Sequence, residues 1–152
     1  MAQDTIAPAT VIPHLVVSDA AAAIDFYTKA FDAVEQGRIP GPDGKLVHAA
    51  LNLNGAWIYL NDDFPEMSGG KSMTPTALGG TPVTIHLEVT GVDAKFQQAL
   101  DAGATVVVPL EDQFWGARYG VVADPFGHQW SLGEQVREVS MDEITAAMGG
   151  AS

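Results

Sequence analysis

The sequence predicts an α+β protein made of two tandem βαβββ modules. Two observations carry that prediction. Shifted by 72 positions, the chain falls on itself: Pro13-His14-Leu15-Val16-Val17-Ser18 lies on Ile85-His86-Leu87-Glu88-Val89-Thr90, Gly55 on Gly127 and Leu60 on Leu132. The order of elements repeats with the same spacing: an apolar strand, a polar cap, an amphipathic helix, then shorter strands, a plan with mostly antiparallel pairing. A repeat of this length is a duplicated supersecondary unit and not a solenoid, which needs three or more short units. Two related halves that face each other enclose a cleft, the usual seat of a small ligand.

Val11 to Val17 is apolar and rich in β-branched residues, which predicts a buried strand. Ser18-Asp19 caps a helix whose apolar face is Ile24, Phe26, Tyr27, Ala30 and Phe31. Val34 to Ile39 reads as a short strand, Pro40 to Gly44 as a turn, and Lys45 to Asn52 with Ala56 to Asn61 as a hairpin around Asn54-Gly55. Residues 1–61 are thus a first module. Residues 62–81 are rich in Gly, Pro, Ser and Met with no period and form a linker, long enough to act as a lid or binding loop. The second module, 82–135, opens with a strand over Pro82 to Thr90. Thr90 and Asp93 have capping-box spacing, Val92, Phe96, Ala99 and Leu100 make a helical face, and Gly103 stops it. Strands over Thr105–Pro109, Arg118–Ala123 and Gln129–Gly133 complete it. The tail, 136–152, holds a helix opened by Ser140 with Glu143 and closed by Gly149-Gly150.

The net charge of −12 and pI near 4.3 argue against a polyanionic partner, so neither nucleic acid nor an anionic membrane is expected. The absence of cysteine excludes disulfides, thiolate metal sites and a Cys nucleophile. No basic start with a long apolar run stands at the N-terminus, and no stretch reaches the ~20 apolar residues of a membrane helix, so a cytoplasmic location is expected. There is no Gly-x-Ser-x-Gly elbow and no P-loop; the paired glycines lie in the linker and tail.

The run Asp112-Gln113-Phe114-Trp115-Gly116-Ala117-Arg118-Tyr119-Gly120 leads into Asp124-Pro125-Phe126-Gly127-His128-Gln129-Trp130-Ser131-Leu132. With Ile24-Asp25-Phe26-Tyr27, these residues resemble the vicinal oxygen chelate superfamily of glyoxalase, bleomycin-resistance and dioxygenase proteins, and within it the PhnB-like branch. The resemblance spans about residues 10 to 135. It implies two half-barrels flanking a cup, and a homodimer. Because the superfamily includes lyases, isomerases, dioxygenases, epoxide openers and metal-free drug binders, fold alone does not fix the activity. The metal-dependent glyoxalase pattern places its four ligands at positions that here read Ile12, Tyr59, Thr84 and Ser131. Their neutral side chains are poor ligands for Zn or Ni, so that site is expected to be absent.

His14 and His86 stand two residues beyond Ile12 and Thr84, on the same strand face, and Glu88 continues it. If they converge in the cup, His14, His86 and Glu88 form a two-His-one-carboxylate set for Zn, Mn, Fe or Ni; otherwise they hydrogen-bond neighbours and line the groove. Trp57, Tyr59 and Asn61 share a face suited to a flat ligand, or to core packing. Trp115 and Arg118 either clamp an acidic ligand, or Arg118 ties to a carboxylate such as Asp124. His48, without a counterpart in the repeat, is expected to matter less than His14 and His86, and His128 to be structural. Two functions compete. One is a small-molecule binder of the drug-sequestering type, without a cofactor. The other is a divalent-metal lyase, isomerase or dioxygenase in which Tyr59 or a free histidine moves the proton. Metal-free catalysis with His14 or His86 as base is a third option.

Overall fold

A computed structural model of the chain describes residues 8–149. The first module runs β1 (His14–Val17), α1 (Ala20–Phe31), β2 (Val34–Pro40), β3 (Leu46–Leu53) and β4 (Ala56–Asp62). The segment after it holds a 3₁₀ turn (Pro65–Met67) and the short helix α2 (Pro75–Leu78). The second module runs β5 (Thr84–Glu88), α3 (Val92–Ala102), β6 (Thr105–Asp112), β7 (Ala117–Ala123) and β8 (Gln129–Gln135), and the tail forms α4 (Met141–Gly149). Gly150, half of the predicted stop, lies outside the described residues, as do residues 1–7. Each module folds into a four-stranded sheet, ordered β1-β4-β3-β2 and β5-β8-β7-β6. The first strand of each is parallel to the last, and the other pairings are antiparallel.

Local chemistry explains the boundaries. The first strand is shorter than predicted because Pro13 has no N–H for the ladder; its carbonyl still accepts from the Tyr59 N–H at 2.9 Å. Asp19 caps α1 through the Ala22 N–H at 3.0 Å. Asn54 and Gly55 both take positive φ, 53° and 103°, which lets the β3–β4 turn follow the twist of its strands.

The repeat extends to a device that periodicity does not reveal. The Asp62 carboxylate, at the end of β4, accepts from the Ala20 N–H at 2.8 Å and the Leu46 N–H at 2.7 Å. Glu134, its equivalent on β8, accepts from the N–H groups of Gly91 and Val92 at 3.1 and 3.0 Å. Each module therefore ties its last strand to the start of its own helix. The Thr90–Asp93 capping box does not form. Gly91 turns left-handed at φ 75° as the N-cap, and Glu134 accepts from the N–H groups of Gly91 and Val92 at the helix start.

The linker is ordered by Asp63, whose carboxylate accepts from Ser72 Oγ and from the Met73 N–H, and whose carbonyl accepts from Lys45 Nζ at 2.9 Å. Pro75 of α2 lies against Gly127, where a Cβ would stand 2.9 Å from the proline ring.

Helices α1 and α3 pack on each other and on their own sheets, so the interior lies between the two sheets. Leu15, Val17, Leu51 and Leu60 enter it from one side, Val122, Trp130 and Leu132 from the other, and Ile24, Tyr27, Val92 and Phe96 fill the middle. The Trp130 ring lies 4.6 Å from Phe31 and 5.3 Å from Tyr27. At this junction Asp124 is buried and fully used. Its carboxylate accepts from Tyr27 Oη, Trp130 Nε1, and the N–H groups of Phe126 and His128. His128 Nε2–H donates to the Val16 carbonyl at 2.8 Å, a second tie between modules and a structural role, as predicted.

This arrangement corrects one expectation. Each sheet buries one face in the shared interior, so the faces carrying His14 and His86 point away from each other. They do not form one cup within a single chain.

Burial and the neighbouring Asp124 carboxylate hold the Tyr27 phenol protonated well above its usual range. Tyr27→Phe is expected to cost about 1–2 kcal/mol in urea unfolding, and Asp124→Ala more, since it strands four donors. Because the folded pKa is raised, the unfolded state binds fewer protons above the ordinary tyrosine pKa of about 10, and stability falls there as pH rises. Tyr27→Phe should flatten that fall.

Candidate functional site

Each open sheet face carries a set of rings. On sheet 1, His14 is the register partner of Tyr59 across β1 and β4. Their ring centroids are 6.0 Å apart, edge to face. His48 joins them from β3, 4.7 Å from Tyr59 and 5.8 Å from His14. His48 thus stands in the same cluster as His14 and Tyr59. Ala50 pairs with Tyr59, and His48, two residues earlier, shares its face. Trp57 and Asn61 lie on the same face of β4, with Trp57 38% exposed. Asn61, Val16 and Val47, together with Phe64, Met67 and Met73 of the linker, line a groove of about 290 Å³, so the linker walls one end of this face.

On sheet 2, His86 Nδ1 lies 2.7 Å from Ser131 Oγ, and Nε2 lies 2.7 Å from Glu88 Oε1. An ionised carboxylate only accepts, so Nε2 carries the proton and, in the neutral ring, Nδ1 accepts from the Ser131 hydroxyl. The ring lies over Gly133, where a Cβ would meet His86 Cε1 at 3.0 Å, and stacks on Tyr119 at 5.9 Å and 21°. Trp115 meets Tyr119 edge to face at 5.8 Å, and Phe114 meets Trp115 at 5.0 Å. His86 and Glu88 also border a cleft of about 800 Å³ that opens between β5 and the β3–β4 hairpin, with Phe31, Asn52 and Lys95 on its walls.

Other predicted partners do not meet. Arg118 alternates with Tyr119 on β7 and points to the helix side, where Asp93 accepts its Nε–H at 2.9 Å and Asp112 its Nη1–H at 3.1 Å. Asp112 and Asp93 raise its already high pKa further. The Trp115–Arg118 clamp does not form, and the tie to a carboxylate is made with these two residues and not with Asp124. Lys45 instead stands over the Phe64 ring, at 5.1 Å. His14, His86 and Glu88 are not brought together in one chain. Among the described residues no group of three or more His, Asp or Glu is placed to hold a metal ion. At the glyoxalase ligand positions, Tyr59 packs with histidines and Ser131 bonds to His86, so the donor set there does not fit a divalent cation.

Tyr119 and the bond between Ser131 and His86 are absent from the sequence-level site. The signal was present: Gly133, inside an apolar strand, marks a close approach by a neighbour.

A model of the Glyoxalase/Bleomycin resistance protein/Dioxygenase superfamily matches residues 5–132. The chain is similar to the uncharacterized protein Mb0911c of Mycobacterium bovis, with 79% identity over 136 residues, covering 90% of each. It is also similar to the Arabidopsis thaliana protein At5g48480, with 33% identity over 130 residues, covering 80% of this chain and 74% of that protein. Among solved structures, TioX from Micromonospora sp. ML1 superposes with a TM-score of 0.65 at 28% identity, over 85% of this chain and all of the other. With this match, these relatives and two βαβββ sheets in place, the chain belongs to the Glyoxalase/Bleomycin resistance protein/Dioxygenase superfamily.

Proposed function

We propose that the chain is a homodimeric, PhnB-like member of this superfamily that binds a small, flat organic ligand. The cup is formed by sheet 1 of one copy and sheet 2 of the other. The observation that supports this reading is the pair of outward faces, one bearing His14, His48, Trp57 and Tyr59, the other His86, Trp115 and Tyr119. Such faces lose contact with water when a partner and a ring-bearing ligand cover them. The free edges of β1 and β5 offer unpaired main-chain groups to a second copy, and a two-fold arrangement satisfies both edges at once. In the binder, the rings stack the ligand and Asn61 orients it.

A divalent-metal lyase, isomerase or dioxygenase is the competing reading. One observation favours it: His14 and His86 occupy equivalent positions on the two open faces, so a two-fold partner brings His14 toward the other copy's His86 and Glu88. Against it stands the use of both His86 ring nitrogens within the chain.

Light scattering coupled to size exclusion should give twice the 16.0 kDa of one chain. Acridine should quench tryptophan fluorescence saturably, and Tyr59→Ala, His14→Ala and His48→Ala should each raise its Kd by about tenfold, as expected for loss of a ring contact. A monomer that acridine quenches no better than free tryptophan would overturn the reading. Protein purified without chelator is expected to hold far less than one equivalent of metal; about one per chain would favour the enzyme.

A further inference from the structure

Sheet 2 carries a feature that stacking alone does not use. Ser131, His86 and Glu88 form one hydrogen-bonded chain that runs from the interior to solvent. Ser131 is 2% exposed, the His86 side chain 41% and the Glu88 side chain 71%. Ser131 meets His86 Nδ1, His86 Nε2–H meets Glu88 Oε1, and Glu88 Oε2 has no partner among the described residues. Gly133 opens the space in which the ring sits, and Tyr119 holds its flat side.

We propose that this relay is the anchor for a protonated nitrogen. The Glu88 carboxylate, aimed by His86 and backed by Ser131, accepts a charge-assisted hydrogen bond from a flat, cationic ligand that stacks against Tyr119 and Trp115. His86, Ser131 and Gly133 are positioning residues, and Glu88 decides specificity. The inference rests on the reading of the open faces as the ligand cup.

Four observations carry it. A surface glutamate ordinarily loses rotamer freedom when it binds, whereas Glu88 is already held in place. The acceptor-only carboxylate admits one arrangement of the neutral ring, with Nε2–H fixed on Glu88 and Nδ1 accepting from the buried Ser131 hydroxyl. Among the described residues no Lys or Arg forms an ion pair with Glu88. Arg118 is bound by two aspartates on the helix side, Lys95 by Asp32 and Arg38 by Glu35, while Lys45 donates to the Asp63 carbonyl. Finally, Glu88, Gly133, Tyr119 and Glu111 are successive register partners in one row across the sheet, so Tyr119 stands in a row with acidic residues at either side. A net charge of −12 draws cations toward such a face.

The test compares two three-ring dyes at pH 7.5, proflavine as the cation and acridine as its uncharged counterpart. Glu88→Gln should weaken proflavine about tenfold, the loss of one charge-assisted hydrogen bond, and leave acridine unchanged. Ser131→Ala should weaken proflavine several-fold in the same selective way. Nitrogen-15 NMR of the unliganded protein supplies an independent readout. His86 should be in its Nε2–H form, Glu88→Gln should release it to a mixture, and Gly133→Ala should move its ring signals off the Tyr119 face. Equal losses for both dyes on Glu88→Gln, or an Nδ1–H His86 in the unaltered chain, would overturn the proposal. If neither dye binds, the cup reading is what fails, and the nitrogen signature then decides the relay by itself.

Discussion

Everything about the position of the candidate site depends on one buried carboxylate. Asp124 gathers four donors, two from the turn that follows it, one from Trp130 and one from Tyr27 of the other module. A buried charge without such partners would be costly, so the turn, the core tryptophan and the first helix are committed to one arrangement. That arrangement is back to back: helices inside, sheets outside. The open faces are open because the interior is closed around this group.

Back-to-back modules change what a duplicated half-shell can do. If the halves faced each other, one chain would hold a complete pocket. Here each chain presents two different half-pockets, one with His14, His48 and Tyr59, the other with Glu88, His86 and Tyr119. The two faces are related by the repeat yet differ in chemistry. Asn61 on one is Gly133 on the other, and the missing side chain gives the His86 ring its seat. The ties of Asp62 and Glu134 keep the same pattern in both modules.

The elements of the fold were largely legible in the sequence because strand and helix periods are set by which side must be buried. Tyr27 and Phe31 announced one helix, Phe96 and Ala99 the other, and Asn54-Gly55 announced a turn. The relative placement of the modules was not legible, because it is decided by side chains 97 residues apart, such as Tyr27 and Asp124, whose meeting no local pattern records. The site was half legible for the same reason. Strand alternation put His14 and Tyr59 on one face, yet the joining of His48 to them depends on register between strands. Arg118 misled: its sequence neighbour Trp115 suggested a clamp, but alternation along β7 turned it toward Asp93 and Asp112.

The ties made by Asp62 and Glu134 bear on how the chain acquires its shape. Both carboxylates reach helix starts more than forty positions back along the chain, 42 residues from Asp62 to Ala20 and the same from Glu134 to Val92. Neither helix has its full complement of partners until the final strand of its own module has arrived. During synthesis the amides at the start of α3 meet Glu134 only after the final strand is made, while the start of α1 has Asp62, 72 residues earlier. The long sequence separation of both ties makes each helix start depend on contacts that close only when its own module is whole.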